Sequence, residues 1–551
     1  MKKYFLLLAC FSIVSLSFSQ PKEHTEIDQI FSAWNQKNVP GGALGIIKDG
    51  ALLYAKGYGM ANLEYDIPNS ASSVFRIAST SKQFTAACII LLKEQGKLAL
   101  DDTLQELFPD FPDYAKKITI KHLLNHTSGI RDYLQLASLK GIGDDDVYTD
   151  ETIMKWLVQQ SSTNFDAGAE YLYSNSGYWL LGQIVEKVSG MNLADFAKKE
   201  LFDPLKMNDT HFHNDHTQIV KNRASGYMPD RTGNYKISMT NLDMIGDGGI
   251  FTTINDIKKW DDAFYNSTVL SSTFWKEMTQ QGVLNDGTTI AYAAGLNIGE
   301  YKGLKTIRHG GAFVGFRAEL LRFPKEKLTI AIFANRGDAN PSLMANQVAD
   351  ILLKNKLVDK AKEPTKTVKI ETPSQLFELK QLTGDYEVQP QVVVSISIKN
   401  DSLNVLQNWN KSTYNIVKTQ GNTFQIPGES SINFTFSDLK DGFTQTLTVL
   451  QDGRETKATR KEKVDVSNIN LEEYVGKYYS KELEVTYSVI VEKEMLKVGI
   501  EGKEPFVECT VTNVDQFSMR FGLLNFKRTN GKISSVTLDS GRVKNVLFEK
   551  K

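Results

Sequence analysis

Ser79 and Lys82 stand three residues apart in Phe75-Arg76-Ile77-Ala78-Ser79-Thr80-Ser81-Lys82, at the head of a run in which Phe84, Ala87, Cys88 and Leu91 recur at helical spacing. Positions i and i+3 share a helix face, so the Lys82 ammonium can reach the Ser79 hydroxyl. A serine paired with a lysine is a nucleophile with its own base, suited to attack on a carbonyl and to an acyl-enzyme intermediate. The positive end of the helix favours negative charge forming at the serine. Lysine works as a base only when burial or a nearby cation brings its pKa down from about 10.4, so the pattern requires a closed, polar-lined site. Ser-x-x-Lys also recurs by chance in a chain with 64 Lys plus Arg, and its companions decide.

Two companions follow in order: Tyr173-Ser174-Asn175, then His309-Gly310-Gly311-Ala312. Held near Lys82, Tyr173 could share its proton, acting as general base for attack and then as acid to the leaving group. With an ordinary pKa near 10, that role depends on a strongly positive neighbourhood. Asn175 can orient Lys82 and offer a donor to a substrate amide. The glycines at 310 and 311 leave room for a substrate to lie against a strand edge.

The elements that must position these residues can be read from pattern. Residues 24–38 suggest a helix with Ile27, Ile30, Phe31 and Trp34 on one face. Residues 41–47 and 51–57 suggest a hairpin about Asp49-Gly50. The Ser79 helix should end near Gly96, and a short capped helix over 119–125 should lead into the polar turn Asn125-His126-Thr127-Ser128-Gly129. Ser176 or Asn175 can cap the helix after Tyr173, leaving Tyr173 and Asn175 on the preceding loop. Gly246-Asp247-Gly248-Gly249 lacks the lysine and spacing of a phosphate loop and reads as a turn with close backbone packing. Residues 304–308, 315–323 and 328–334 read as strands, with His309-Gly310-Gly311-Ala312 between the first two, and 342–354 as a helix. The run 356–375, rich in Lys, Pro and Thr, reads as a linker.

Beyond it the character changes to short alternating segments that repeat internally. Leu382-Thr383-Gly384-Asp385-Tyr386 matches Val475-Gly476-Lys477-Tyr478, Phe434-Thr435-Phe436 parallels Leu524-Asn525-Phe526, and Gly453-Arg454 parallels Gly541-Arg542. Two antiparallel β-barrels of roughly 80 to 90 residues fit this spacing.

A chain of 551 residues, 41% hydrophobic and 23% charged, is an ordinary globular protein of several domains. The net charge of -1, without charge runs, argues against a nucleic-acid partner. Lys2, Lys3, an apolar run over residues 5–16 and Ser17-Phe18-Ser19 read as a secretory leader over 1–19, too short for the roughly 20 residues of a spanning helix. Leu7-Leu8-Ala9-Cys10 keeps a lipoprotein signal open as a lesser alternative. Cys88 and Cys509 imply no disulfide framework, and Cys88 reads as a small core residue. No later segment spans a membrane by length and apolarity. His211, His213 and His216 have spacing that a metal could use, but in a polar loop they read as surface histidines, and neither metal nor cofactor is expected.

The ordered set Ser79-x-x-Lys82, Tyr173-x-Asn175 and His309-Gly310-Gly311 resembles the serine hydrolases related to class C β-lactamases and penicillin-binding proteins. The resemblance covers about residues 25–355 and includes the approach Phe75-Arg76-Ile77-Ala78, the segment His122 to Gly129, and Pro204-Leu205-Lys206-Met207-Asn208-Asp209-Thr210-His211. It implies an α+β fold: an antiparallel sheet flanked by helices, a helical subdomain, and the active site between them. It also implies an oxyanion held by the backbone N–H groups of Ser79 and Ala312. β-Lactamases and D-Ala-D-Ala carboxypeptidases of this superfamily usually carry a lysine followed by a hydroxyl residue where this chain has His309-Gly310. A neutral histidine anchors a carboxylate weakly, and His-x-Gly resembles D-aminopeptidases, D-amino-acid amidases and related esterases. The repeats resemble the lipocalin-like barrels appended to some of these enzymes.

The expected organisation is a leader (1–19), a hydrolase domain (20–355), a linker (356–375) and barrels over 376–465 and 466–551. The expected function is an exported, periplasmic or secreted serine hydrolase acting on a small molecule or short peptide, a D-amino-acid peptide or small ester, through a Ser79 acyl-enzyme. Catalytic roles fall to Ser79, Lys82 and Tyr173, and substrate contacts to Asn175, His309, Gly310, Gly311 and Ala312. A penicillin-binding protein or weak β-lactamase stays open, as does a non-catalytic binder of ligands or cell-wall fragments that uses the barrels. Oligomeric state is not readable from the sequence.

Overall fold

Asp49 and Gly50 have φ of 50° and 79°, both left-handed. Such a two-residue turn matches the twist of the strands it joins, and it closes the hairpin of β1 (Gly42–Lys48) and β2 (Ala51–Tyr58). Four further strands, β3 (Asn297–Tyr301), β4 (Leu304–Phe313), β5 (Phe316–Phe323) and β6 (Leu328–Ala334), complete an antiparallel sheet of order β3-β4-β5-β6-β1-β2. The computed structural model describes residues 22–551 apart from 144–145, 267–268, 359–375, 390–391, 409–411, 428, 452–453 and 462–468. The leader at 1–19, Cys10, most of the linker at 356–375 and Gly453 lie outside the described residues.

The central strand β6 is buried along its whole length, and alternation assigns its residues to two cores. Ile330 and Ile332 join Leu44, Ile46 and Leu321 under α1 (Lys22–Ile30) and under the C-terminal helix of this domain, Pro341–Leu352. Ala331 and Phe333 face the larger core, which contains α2 (Lys82–Glu94), α3 (Asn175–Ser189) and α4 (Ile254–Asn266). The C-terminal helix, α5, starts with Pro341 in its first turn and is capped by Asn340 Oδ1, which accepts from Leu343 N at 3.1 Å.

Two boundaries differ from the sequence reading. The first helix stops at Ile30 rather than running to Asn38, and successive turns carry Phe31 and Trp34 onto the sheet. His309-Gly310-Gly311-Ala312 does not connect two strands but lies inside β4, which turns only at Val314 and Gly315. β3 pairs with residues 304–308 of β4 alone, so beyond Arg308 that edge of β4 meets the Ser79 turn instead of β3.

Each repeat closes into an eight-stranded antiparallel barrel, the first from Gly384 to Arg460 and the second from Gly476 to Lys550. The repeated tyrosines are both buried and make the same clasp: Tyr386 Oη donates to the Leu382 carbonyl at 2.9 Å, and Tyr478 Oη to the Tyr474 carbonyl at 2.7 Å. Side chains such as Leu403, Phe424, Phe436 and Leu447 fill the first interior, so it is a packed core. That core is a cluster of its own among the described residues, whereas the apolar core of the second barrel is continuous with that of the sheet-and-helix domain.

Candidate active site

Ser79 lies in a single 3₁₀ turn, Ala78–Ser81, and α2 begins only at Lys82. The sequence reading placed it in the α-helix. The tighter turn serves the same end, because residues i and i+3 eclipse in a 3₁₀ helix and Lys82 is brought directly to Ser79. Ala78 has φ of 47°, uncommon for a residue with a side chain, so the chain turns sharply just before the nucleophile.

The Lys82 side chain is fully buried, and its ammonium makes three hydrogen bonds: to Ser79 Oγ at 3.4 Å, Asn175 Oδ1 at 2.9 Å and the Asp247 carbonyl at 2.5 Å. Burial pushes its pKa down to about 8, with Arg542 adding in the same direction against the pull of Asp247 and Asp132. A substantial fraction of Lys82 is then neutral near pH 8, as a general base requires.

Tyr173 stacks against the His126 ring at 4.1 Å, and two cations lie over its own ring: Lys82 Nζ at 4.9 Å and the Arg542 guanidinium at 4.7 Å from the centroid. Its hydroxyl is buried and, among the described residues, has no partner at full hydrogen-bonding geometry, with Ser79 as its near polar neighbour. Burial raises the pKa of the phenol, while Ser79 and Arg542 pull it down, so Tyr173 holds its proton in the resting site. The positive neighbourhood expected around Tyr173 is present, but it does not outweigh burial.

Asn175 is the first residue of α3 and not part of the preceding loop. Neither it nor Ser176 caps that helix. The Asn175 N–H donates instead to Asp132 Oδ2 at 2.8 Å, and Ser176 Oγ accepts from Tyr133 N and donates to the Arg131 carbonyl. The Tyr173 loop is tied to the polar turn ahead of it, with Leu172 N donating to the His126 carbonyl and Ser174 N to His126 Nδ1. That turn follows a short helix with a reciprocal cap between Thr119 and His122.

His309 is buried with both ring nitrogens engaged, Nδ1 with the Gly310 carbonyl at 2.6 Å and Nε2 with Tyr292 Oη at 2.9 Å. A carbonyl can only accept, so the proton sits on Nδ1 and Nε2 accepts from the tyrosine. Burial and the neighbouring Lys82 push the imidazole pKa down to about 4, leaving it neutral. The glycines beside it have a different use from the one their sequence suggests. A Cβ at 311 would lie 2.1 Å from the Ile77 carbonyl and 3.0 Å from Thr80 Oγ1, so Gly311 makes room for the Ser79 turn itself. At 310 the nearest atom would be Glu319 Oε2 at 3.1 Å.

Ser79, Asn175 and Ala312 all line one cleft of about 60 Å³, together with Leu242, Met244 and Phe313. Arg76 also lines it, buried between the Phe251 and Phe313 rings. The sequence reading missed Asp132, Asp247 and Arg542. Asp247 sits in the glycine run already singled out, where Gly246 (φ 110°) packs so closely that a Cβ would lie 2.7 Å from the Tyr178 carbonyl. The run therefore brings the Asp247 carbonyl onto Lys82. Of the three spaced histidines only His216 is exposed. His211 and His213 pack on Phe251, which corrects their reading as surface residues. Among the described residues no three His, Cys, Asp or Glu side chains are grouped to hold a metal. Cys88 is buried in the core as expected.

The Beta-lactamase family model matches residues 27–353. Penicillin-binding protein 4* of Bacillus subtilis is 28% identical over 395 residues, covering 68% of this chain and 86% of its own. A D-aminopeptidase of Brucella anthropi is 29% identical over 303 residues, 55% of this chain, and the match spans 57% of that enzyme's length. Among solved structures, the penicillin binding protein from Bacillus halodurans is 25% identical with a TM-score of 0.51, covering 61% of this chain and 100% of its own. D-amino acid amidase from Ochrobactrum anthropi SV3, 22% identical with a TM-score of 0.52, covers 61% and 99% and shares the fold.

Proposed function

The chain belongs to the beta-lactamase family, and we propose that it is an exported serine hydrolase that cleaves an amide or ester bond through an acyl-enzyme on Ser79. The observation that carries this reading is the Lys82 ammonium, buried and bonded at once to Ser79 Oγ, Asn175 Oδ1 and the Asp247 carbonyl, with burial pushing its pKa down to about 8. Neutral Lys82 takes the proton of Ser79 as Oγ bonds to the substrate carbonyl carbon, and the carbonyl oxygen takes up the charge. The backbone N–H groups of Ser79 and Ala312, residues that line the same cleft, are suited to hold that oxyanion. Collapse breaks the C–N or C–O bond, Tyr173 gives its proton to the leaving group, and the proton on Lys82 restores it. Water then releases the acyl group by the same exchange in reverse.

D-amino-acid peptides and small esters are the substrates this reading favours over β-lactams. Its support is the neutral, fully engaged His309 and the similarity to proteins named D-aminopeptidase and D-amino acid amidase. The filled interior of the first barrel speaks against a ligand-carrying role for it. The test is covalent labelling by a fluorophosphonate, with turnover of a D-aminoacyl anilide, a D-Ala-D-Ala peptide, a nitrophenyl ester and a chromogenic cephalosporin. Labelling and turnover should vanish in Ser79→Ala. Labelling that survives this substitution removes the reading, and cephalosporin turnover far above the rest reverses the substrate preference.

A further inference from the structure

The second barrel sets a side chain against the ring of Tyr173. Its last two strands, Lys532–Ser540 and Val543–Lys550, are joined at Gly541 and Arg542, and this turn reaches the loop that carries Tyr173. Its position is rigid. The Arg542 carbonyl accepts from Asn164 Nδ2 at 2.9 Å and Asp132 N at 3.4 Å, Lys544 N donates to Asn164 Oδ1 at 2.7 Å, and Gln135 Nε2 donates to Ser540 Oγ at 3.2 Å. Behind the turn, the buried Arg131 guanidinium donates to the Lys544 and Asn545 carbonyls and pairs with Glu482 at 2.9 Å. An arginine held this way meets a ligand with little ordering left to do.

We infer that Arg542 is a specificity-determining residue, placed to receive a free carboxylate on the leaving-group side of the substrate. The inference rests on the acyl-transfer reading above, in which Tyr173 protonates the leaving group. What leaves must then pass beside the Tyr173 hydroxyl, and the Arg542 guanidinium lies over that ring. Its side chain is 45% exposed, and among the described residues its one polar contact is a single long approach, Nη1 to Asp132 Oδ2 at 3.4 Å. That oxygen is already engaged by the Asn175 N–H. Most of the planar donor fork, the geometry that matches a carboxylate with two parallel bonds, is left open. Two neighbouring basic groups are already committed: Lys82 is buried with its three donors used, and His309 is neutral with both nitrogens occupied. Arg76 lines the cleft with an unpartnered Nε but is buried between two phenylalanine rings, whereas Arg542 is 45% exposed.

The test compares kcat/KM for an acylated D-alanyl-D-alanine peptide with that for the same peptide ending in a carboxamide, in the full chain and in Arg542→Ala and Arg542→Lys. A ratio within one protein is insensitive to the fraction folded. In the unaltered protein the carboxylate should be preferred by about tenfold or more. Arg542→Ala should bring the ratio close to one, mainly through KM, and Arg542→Lys should restore part of it. A ratio unchanged in Arg542→Ala, or near one in the unaltered protein, overturns the inference. Turnover of an uncharged nitrophenyl ester without turnover of either peptide also overturns it while the acyl-transfer reading stands. Absence of turnover and of fluorophosphonate labelling throughout overturns that reading, and this inference with it.

Discussion

Thr80 Oγ1 donates to the backbone carbonyl of His309 at 3.2 Å. The turn that carries the nucleophile and the strand edge across from it are thus bonded through the residues next to Ser79 and Gly310, and their spacing depends on how closely the two backbones approach.

Gly311→Ala should break that approach, since the new methyl would lie 2.1 Å from the Ile77 carbonyl, backbone that can move only by shifting the Ser79 turn. A loss of about 2 kcal/mol of stability is expected together with loss of fluorophosphonate labelling. Gly310→Ala meets only the end of the Glu319 side chain and should be much milder. Thermal unfolding and labelling of the two variants check the contrast.

The pH profile should follow Lys82. Its pKa lies near 8, and only the neutral amine can take the serine proton. On an uncharged ester, kcat/KM should rise about tenfold per pH unit below that point and level off above it.

Asn175→Asp should move this limb. A carboxylate in place of the amide oxygen, 2.9 Å from the ammonium, favours the charged form. The rising limb should shift upward by about one pH unit or more, with lower activity at pH 7. An unmoved limb would mean that Lys82 is not the group being titrated.

Arg131 and Glu482 form a buried ion pair between the catalytic unit and the second barrel, with side chains 0% and 8% exposed. Arg131→Met leaves Glu482 buried without its cation and should destabilise the protein by about 3–5 kcal/mol. Adding Glu482→Met should recover much of that loss. Denaturant unfolding of the two single variants and the double variant measures the coupling.

The sequence made legible what short-range pattern encodes. The Asp49-Gly50 hairpin, the period-two strands, the Thr119 cap and the repeat of the barrels all follow from neighbours in the chain. Ser79 and Lys82 were also readable, because three residues separate them. What stayed hidden is set by distant backbone approaches. Gly311 looked like space for a substrate until Ile77, from another element, was seen to occupy it. Asp247 contributes its carbonyl to Lys82, and a carbonyl leaves no trace in residue type. Asp132, with no motif of its own, meets Arg542 across 410 residues of sequence.

The two barrels share strand order and even the tyrosine clasp, yet among the described residues only the second has a core continuous with that of the domain carrying Ser79. Modules of the same topology should therefore differ in how they open. Amide hydrogens of the first barrel should exchange through an opening of that barrel alone, while those of the second exchange only as the enzyme around Ser79 comes apart. On this expectation one copy opens as a cooperative unit of its own, and the other shares the stability of the domain that carries Ser79.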